Sequence, residues 1–331
     1  MKPLNLVPLS VLDLAPYPQG QTIADAFRNA RDLAQHAERW GYHRYWVAEH
    51  HNIEGIASAA TPLLIGNIAE ATSRIRVGSG GIMLPNHSPL VVAEQFGTLE
   101  TLYPRRIDLG LGRAPGTDQT TMRAIRRDVR EQDFGDEIEE LMYYFAPAEP
   151  GQKVRAIPGA GMDIPIWILG SSLYSADLAG RTGRPYAFAG HFAPKLMLDA
   201  VELYRSRFKP SKYLSEPRVM IGVSVVAADT SERAHFLATT IYQQFLGMVR
   251  GQRTQAKPPV ASMDAIWSPA EEMAVKSMLS TLIVGDQAEA REGLQKLVDS
   301  TGADEIIITS HLFHHDDRLK SYELIKSPKT L

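Results

Sequence analysis

Residues 9–41 read LSVLDLAPYPQGQTIADAFRNARDLAQHAERWG, and this stretch decides the fold. Residues 9–14 form a short apolar run bounded by turn residues, the pattern of a buried strand. Ile23, Ala26, Phe27, Ala30, Leu33, Ala34, Ala37 and Trp40 then recur at steps of three and four, which puts them on one face of an amphipathic helix; Gly41 follows as its C-terminal stop. A buried strand feeding a helix of this length is one unit of a parallel sheet wrapped by helices.

The same rhythm continues to the end of the chain. Strands are expected at residues 45–48, 75–83, 107–111, 164–169, 187–189, 219–227 and 305–309, which with the first makes eight. Between them lie helices at residues 59–71 and 129–144, a helix opened by Ser88 and Pro89, and one begun by the capping pair Asp286 and Glu289 and ended near Gly302. Eight strand–helix units predict a (β/α)8 TIM barrel, an α/β fold, with residues 1–331 as a single domain; an open doubly wound sheet is the architecture that the same alternation would also allow. Insertions are expected after strands four and seven. Residues 147–161 are rich in proline and glycine, and residues 248–270, with Gly251, Lys257, Pro258 and Pro259, read as a mobile loop over the active face or a solvated linker.

Composition narrows the function classes. Hydrophobic residues make up 44% of the 331 and charged residues 22%, a globular balance, and 35 Lys and Arg against 38 Asp and Glu give a net charge of −3. That offers no footprint for nucleic acid or an anionic membrane. The absence of cysteine excludes disulfides, thiolate catalysis and thiolate metal sites. No apolar run is long enough for a membrane helix, and Pro3, Pro8 and Asp13 interrupt any signal-like stretch, so a cytoplasmic protein is expected.

In a barrel the chemistry belongs at the C-terminal strand ends. Strand two runs into WVAEHHN (46–52), where Glu49 and His51 alternate with His50, so that one histidine faces the barrel mouth; an ordinary pair of loop histidines is the plainer alternative. Strand three reads VGSGGIMLP (77–85), and its glycines mark either tight barrel packing or the close approach of something flat to the backbone. Strand four ends RIDLGLGRAPG (106–116). Its glycine spacing is not that of a dinucleotide loop, but Arg113 can clamp a phosphate, or else pair with Glu94. Strand five ends WILGSSLYSA (167–176), where Gly170, Ser171 and Ser172 precede a helix whose free amides make an anion site, with Ser171 as an N-cap on the plainer view. His191, in GHFAP (190–194), also lies on this face. His311, His314 and His315 lack a matching metal pattern and read as a solvated terminal segment.

These motifs, in this order and over nearly the whole chain, resemble the bacterial luciferase-like flavin-dependent monooxygenases, most closely a group of single-chain oxidoreductases of unassigned substrate. The resemblance implies a barrel that binds FMN, reduced by a separate flavin reductase, and reacts it with oxygen to a peroxyflavin that oxygenates a small, partly hydrophobic organic substrate. It implies His50 as the catalytic histidine, Gly80-Gly81 as a non-prolyl cis peptide against the flavin ring, Arg113 and Ser171 as phosphate contacts, residues 248–270 as the mobile active-site loop, and a homodimer. Glu49, His51 and His191 are expected to contact substrate or support the site, and no metal is expected. Two positions depart from luciferase: Gly112 stands where it has a reactive cysteine, and Tyr174 where it has a threonine phosphate ligand. A deazaflavin-dependent hydride transfer and a non-catalytic flavin-binding protein are the competing expectations.

Overall fold

In the computed structural model, which describes residues 2–125, 133–252 and 254–327, the opening stretch folds as its pattern demands. Leu9–Asp13 is strand β1 and Ile23–Trp40 is helix α1, begun by a Thr22–Asp25 capping box and stopped by Gly41 in the left-handed conformation at φ 79°. Ala26, Ala30, Leu33, Ala34 and Ala37 are its buried stripe.

The remaining strands are β2 (Arg44–Val47), β3 (Arg76–Ser79), β4 (Ile82–Met83), β5 (Ile107–Gly112), β6 (Ile166–Gly170), β7 (Tyr186–Phe188), β8 (Val219–Ala227), β9 (Ile283–Gly285) and β10 (Glu305–Thr309). The helices are α2 (Thr61–Glu70), α3 (Pro89–Leu102), α4 (Gln119–Ile125), α5 (Phe134–Phe145), α6 (Leu173–Arg181), α7 (Met197–Arg207), α8 (Ser231–Val249), α9 (Pro269–Met278), α10 (Gln287–Thr301) and α11 (His315–Lys326). Parallel pairing runs β1-β2-β3-β5-β6-β7-β8, and β10 pairs with both β8 and β1. The sheet therefore closes on itself as a (β/α)8 barrel, which removes the open-sheet alternative.

Three expectations need correction. The third strand is not continuous from 75 to 83: it breaks at a cis Gly80–Gly81 peptide into β3 and the short β4, which pairs on with β5. The insertion after β8 carries its own elements, α9 and β9, and β9 extends the sheet outside the barrel by pairing with the far end of β8. The helix expected over 129–144 is seen as α5 from Phe134, capped by Asp133, and Val129 lies outside the described residues.

The N-terminal end of the barrel is plugged by charge. Arg44 donates to Glu305 at 2.6 and 3.1 Å and to Asp108 at 2.6 Å; Arg76 also binds Asp108, and Arg218 and Ser10 bind Glu305. Both carboxylates are fully buried, so each is tolerable only because it is multiply paired. Above this plug sits an apolar layer of Leu12, Trp46, Trp167, Ala187, Met220 and Ile307, the floor of the C-terminal mouth. A second buried pair, Arg318 with Asp13 at 2.7 Å, pins α11 to the wall of β1.

Candidate active site

Four neighbouring strands, β2, β3, β5 and β6, carry the sequence motifs to one side of the barrel mouth. At the end of β2 the Glu49 side chain turns inward and is 1% exposed. Its oxygens accept from the Met83 amide at 2.9 Å, from Asn86 at 3.1 Å, from His51 at 2.8 Å and from His87 at 2.9 Å. Burial alone would raise this carboxyl, but the hydrogen bonds and charge of His87, with those of His51 and Met83, hold it below the usual range. A carboxylate only accepts, so the Nε2 atoms of His51 and His87 both carry protons. Glu49 and His51 thus join the end of β2 to the turn after β4 as a buried support.

His50 faces the other way. Its Nδ1 meets the Gly116 carbonyl at 3.3 Å, and the His51 amide binds the same oxygen. Because a carbonyl only accepts, Nδ1 is the nitrogen that donates in this contact. Gly116 has φ 65°, and a side chain there would press within 2.7 Å of the Glu49 carbonyl, so this tight return of the chain requires glycine.

At Gly80 and Gly81 the packing reading holds. A Cβ on Gly81 would lie 2.7 Å from the Gly110 carbonyl oxygen, and one on Gly80 2.7 Å from Leu12, so barrel packing itself excludes larger residues. The same lack of side chains leaves a bare backbone edge, partly exposed at Gly80, beside the mouth.

Arg113, just past β5, is exposed, and its guanidinium lies 4.3 Å from the centre of the Tyr174 ring rather than in an ion pair with Glu94. Strand β6 pairs beside β5, Leu111 opposite Ile168, so Arg113 and the start of α6 share one corner. The N-cap of α6 is Ser172, not Ser171, and its hydroxyl makes no capping bond, so the first-turn amides receive nothing from it. Gly170 is required here as well: a Cβ would meet Ser175 Oγ at 1.9 Å. A guanidinium and a helix N-terminus are each groups that favour an anion.

Across the mouth, His191 follows β7 and rests on Gly222 of β8, where a Cβ would come 2.7 Å from Nδ1. Among the described residues that buried Nδ1 has no hydrogen-bond partner. Burial pulls the imidazole down to about 4, and His50 adds to the shift. His311, two residues past β10, is likewise pulled down to about 4 by burial, with His191, Arg318 and His50 contributing; its Nε2 lies 3.3 Å from Thr309 Oγ1. His311 is half-buried rather than fully solvated, and it lies near His50 and His191 at the mouth because β10 closes the barrel. Its place just past a strand end was the signal to follow. His314 is exposed and His315 pairs with Asp32 at 2.9 Å, so the three do not gather. Among the described residues no cluster suited to a metal occurs, and no helix is long and apolar enough to cross a membrane.

The insertion after β8 is fastened at several points: Ala256 O accepts from the Gln19 amide at 2.9 Å, Lys257 O from Thr240, and the Val260 amide donates to Thr239. It packs Met263 and Ala256 against α8 and the loop after β1.

An exposed arginine beside a helix start, a bare backbone edge and a histidine thus lie on successive strand ends at the C-terminal mouth of a parallel (β/α)8 barrel. The family model for luciferase-like monooxygenases matches residues 9–305, and the chain belongs to that family. It is 60% identical over 319 residues to the Bacillus subtilis protein YvbT, covering 96% of this chain and 95% of that one. It is 32% identical to the N-acetyl-S-alkylcysteine monooxygenase of the same organism, covering 97% of both. The solved structure of apo-MsnO8 superposes with a TM-score of 0.90 at 36% identity, covering 97% of each chain.

Proposed function

We propose that the protein is an FMN-dependent monooxygenase, supplied with reduced FMN by a separate reductase and inserting one oxygen atom of O2 into a small, partly hydrophobic organic molecule. The observation that carries this reading is the corner formed by Arg113 and the start of α6, set beside the cis Gly80–Gly81 backbone. The residues fit the group: the guanidinium and first-turn amides would hold its phosphate, and the side-chain-free edge at Gly80 would accept a flat ring system. Bound and reduced, FMN would supply the electrons that activate oxygen.

The chain's own groups would do the rest. His50, with Nδ1 held by Gly116, would take or hold a proton at Nε2, and Glu49 would fix the turn from which His50 projects. The apolar floor of Leu12, Trp46 and Trp167 would exclude water, helped by residues 248–270 acting as a cover. A small substrate would enter from the side of His191. The family's monooxygenase relative supports oxygen chemistry, while the reductase partner and a homodimer rest on resemblance.

The test mixes protein anaerobically with reduced FMN, admits oxygen and follows flavin absorbance. Reoxidation slower than that of free FMN, returning towards the free rate in His50→Ala, is the expected result. Oxidation at the free rate in both proteins, with tight deazaflavin binding in a parallel titration, would instead make the protein a hydride-transfer oxidoreductase.

A further inference from the structure

Tyr174 is the second residue of α6, so its ring rises from the helix turn that shares a corner with Arg113. The ring lies under the Arg113 guanidinium at 4.3 Å, and its hydroxyl reaches the two Asp133 carboxylate oxygens at 3.3 and 3.2 Å. Asp133 is itself fixed, since Oδ1 accepts from the Gly135 amide at 2.7 Å and caps α5. Three elements, the loop after β5, the start of α6 and the start of α5, therefore meet on one side chain. Burial and the Asp133 charge push the phenol up, which keeps it protonated as the donor to Asp133.

We propose that Tyr174 is a positioning residue that, anchored by Asp133, holds the Arg113 guanidinium over the start of α6, so that the preference for a phosphorylated flavin over its unphosphorylated form depends on this ring. The inference rests on the FMN reading above. An exposed arginine has many rotamers and loses that freedom when it captures a ligand. A ring beneath the guanidinium removes much of that freedom beforehand. A guanidinium held over the ring by its central carbon can keep N–H groups free for the paired oxygens of a phosphate. The hydroxyl has a second effect: Asp133, which would compete with phosphate for Arg113, is engaged by the phenol and the Gly135 amide instead.

Fluorescence titrations of FMN and riboflavin measure the phosphate contribution directly, as the ratio of the two affinities, with no need for turnover. The wild-type protein is expected to favour FMN, and Tyr174→Leu to lower that ratio about fivefold while leaving riboflavin affinity unchanged. Tyr174→Phe keeps the ring but loses its anchor, and its ratio should fall between the two. Adding Tyr174→Leu to Arg113→Ala should lower the ratio no further than Arg113→Ala alone, because Tyr174 acts only through that arginine. Equal affinity of the wild-type protein for FMN and riboflavin would overturn the phosphate corner, and this inference with it. A wild-type preference that survives both Tyr174 variants overturns the inference alone, as does an equal loss of both ligands or additive losses in the double variant.

Discussion

Replacing Glu49 with glutamine removes one charge and almost no volume, and its consequence can be worked from the contacts. Four donors converge on the carboxylate: the Met83 amide, Asn86 Nδ2, and the Nε2 atoms of His51 and His87. An amide has one acceptor oxygen and one donor nitrogen. With the nitrogen placed towards Met83, a buried backbone N–H faces another donor; with it placed the other way, it meets Asn86 and His51. Either arrangement forfeits at least one charge-assisted bond, worth about 1.5–3 kcal/mol, and strands a donor at further cost, so a loss of about 2–4 kcal/mol is expected. Unfolding entropy of about 2.1 cal/mol/K per residue amounts to roughly 0.7 kcal/mol/K for 331 residues, which converts the loss to a fall in Tm of about 3–6 °C. Calorimetry of the two proteins at pH 7 measures this, and FMN titration of the same samples should show weaker binding as the turn after β4 loosens. A Tm within about 1 °C of wild type, with unchanged flavin affinity, would refute the assignment of Glu49 as the support of this wall.

Two further outcomes follow from buried charge. His191 and His311 are both pulled from about 6.5 down to about 4 by burial, so at pH 5 the unfolded chain binds protons that the folded one refuses. Stability is therefore complete above about pH 6.5 and lost as pH falls towards 4, and the urea midpoint measured from pH 7.5 to 4.5 should fall less steeply in His311→Asn; an identical slope would show that the His311 imidazole does not resist protonation in the folded protein. Arg44→Met leaves Asp108 with Arg76, and Glu305 with Arg218 and Ser10, so the cost is expected near the low end for a broken buried pair, about 3 kcal/mol by urea denaturation. A neutral result would mean that the remaining arginines compensate fully.

Much of this molecule was legible without coordinates because its signals are local. The strands at 219–227 and 305–309, the helix ended by Gly41 and the capping box at Asp286 depend on residues within a turn or a strand of one another, and all appear where the pattern put them. The motifs of His50, Gly80-Gly81, Arg113 and Gly170-Ser172 were found because each sits at a strand end, and a barrel sends all such ends to one face. Local pattern does not report what a strand end touches. The cis break between β3 and β4, the shift of the N-cap from Ser171 to Ser172 and the stacking of Tyr174 on Arg113 depend on the neighbouring strand. The four partners of Glu49 lie up to 38 residues away along the chain. The gathering of His50, His191 and His311 depends on closure, because only the pairing of β10 with both β1 and β8 brings the last strand's end to the mouth shared by the second. Sequence fixes which surfaces must be buried, through the period of its apolar residues; which side chains then meet is decided by the closing of the sheet, a long-range event that no local period encodes.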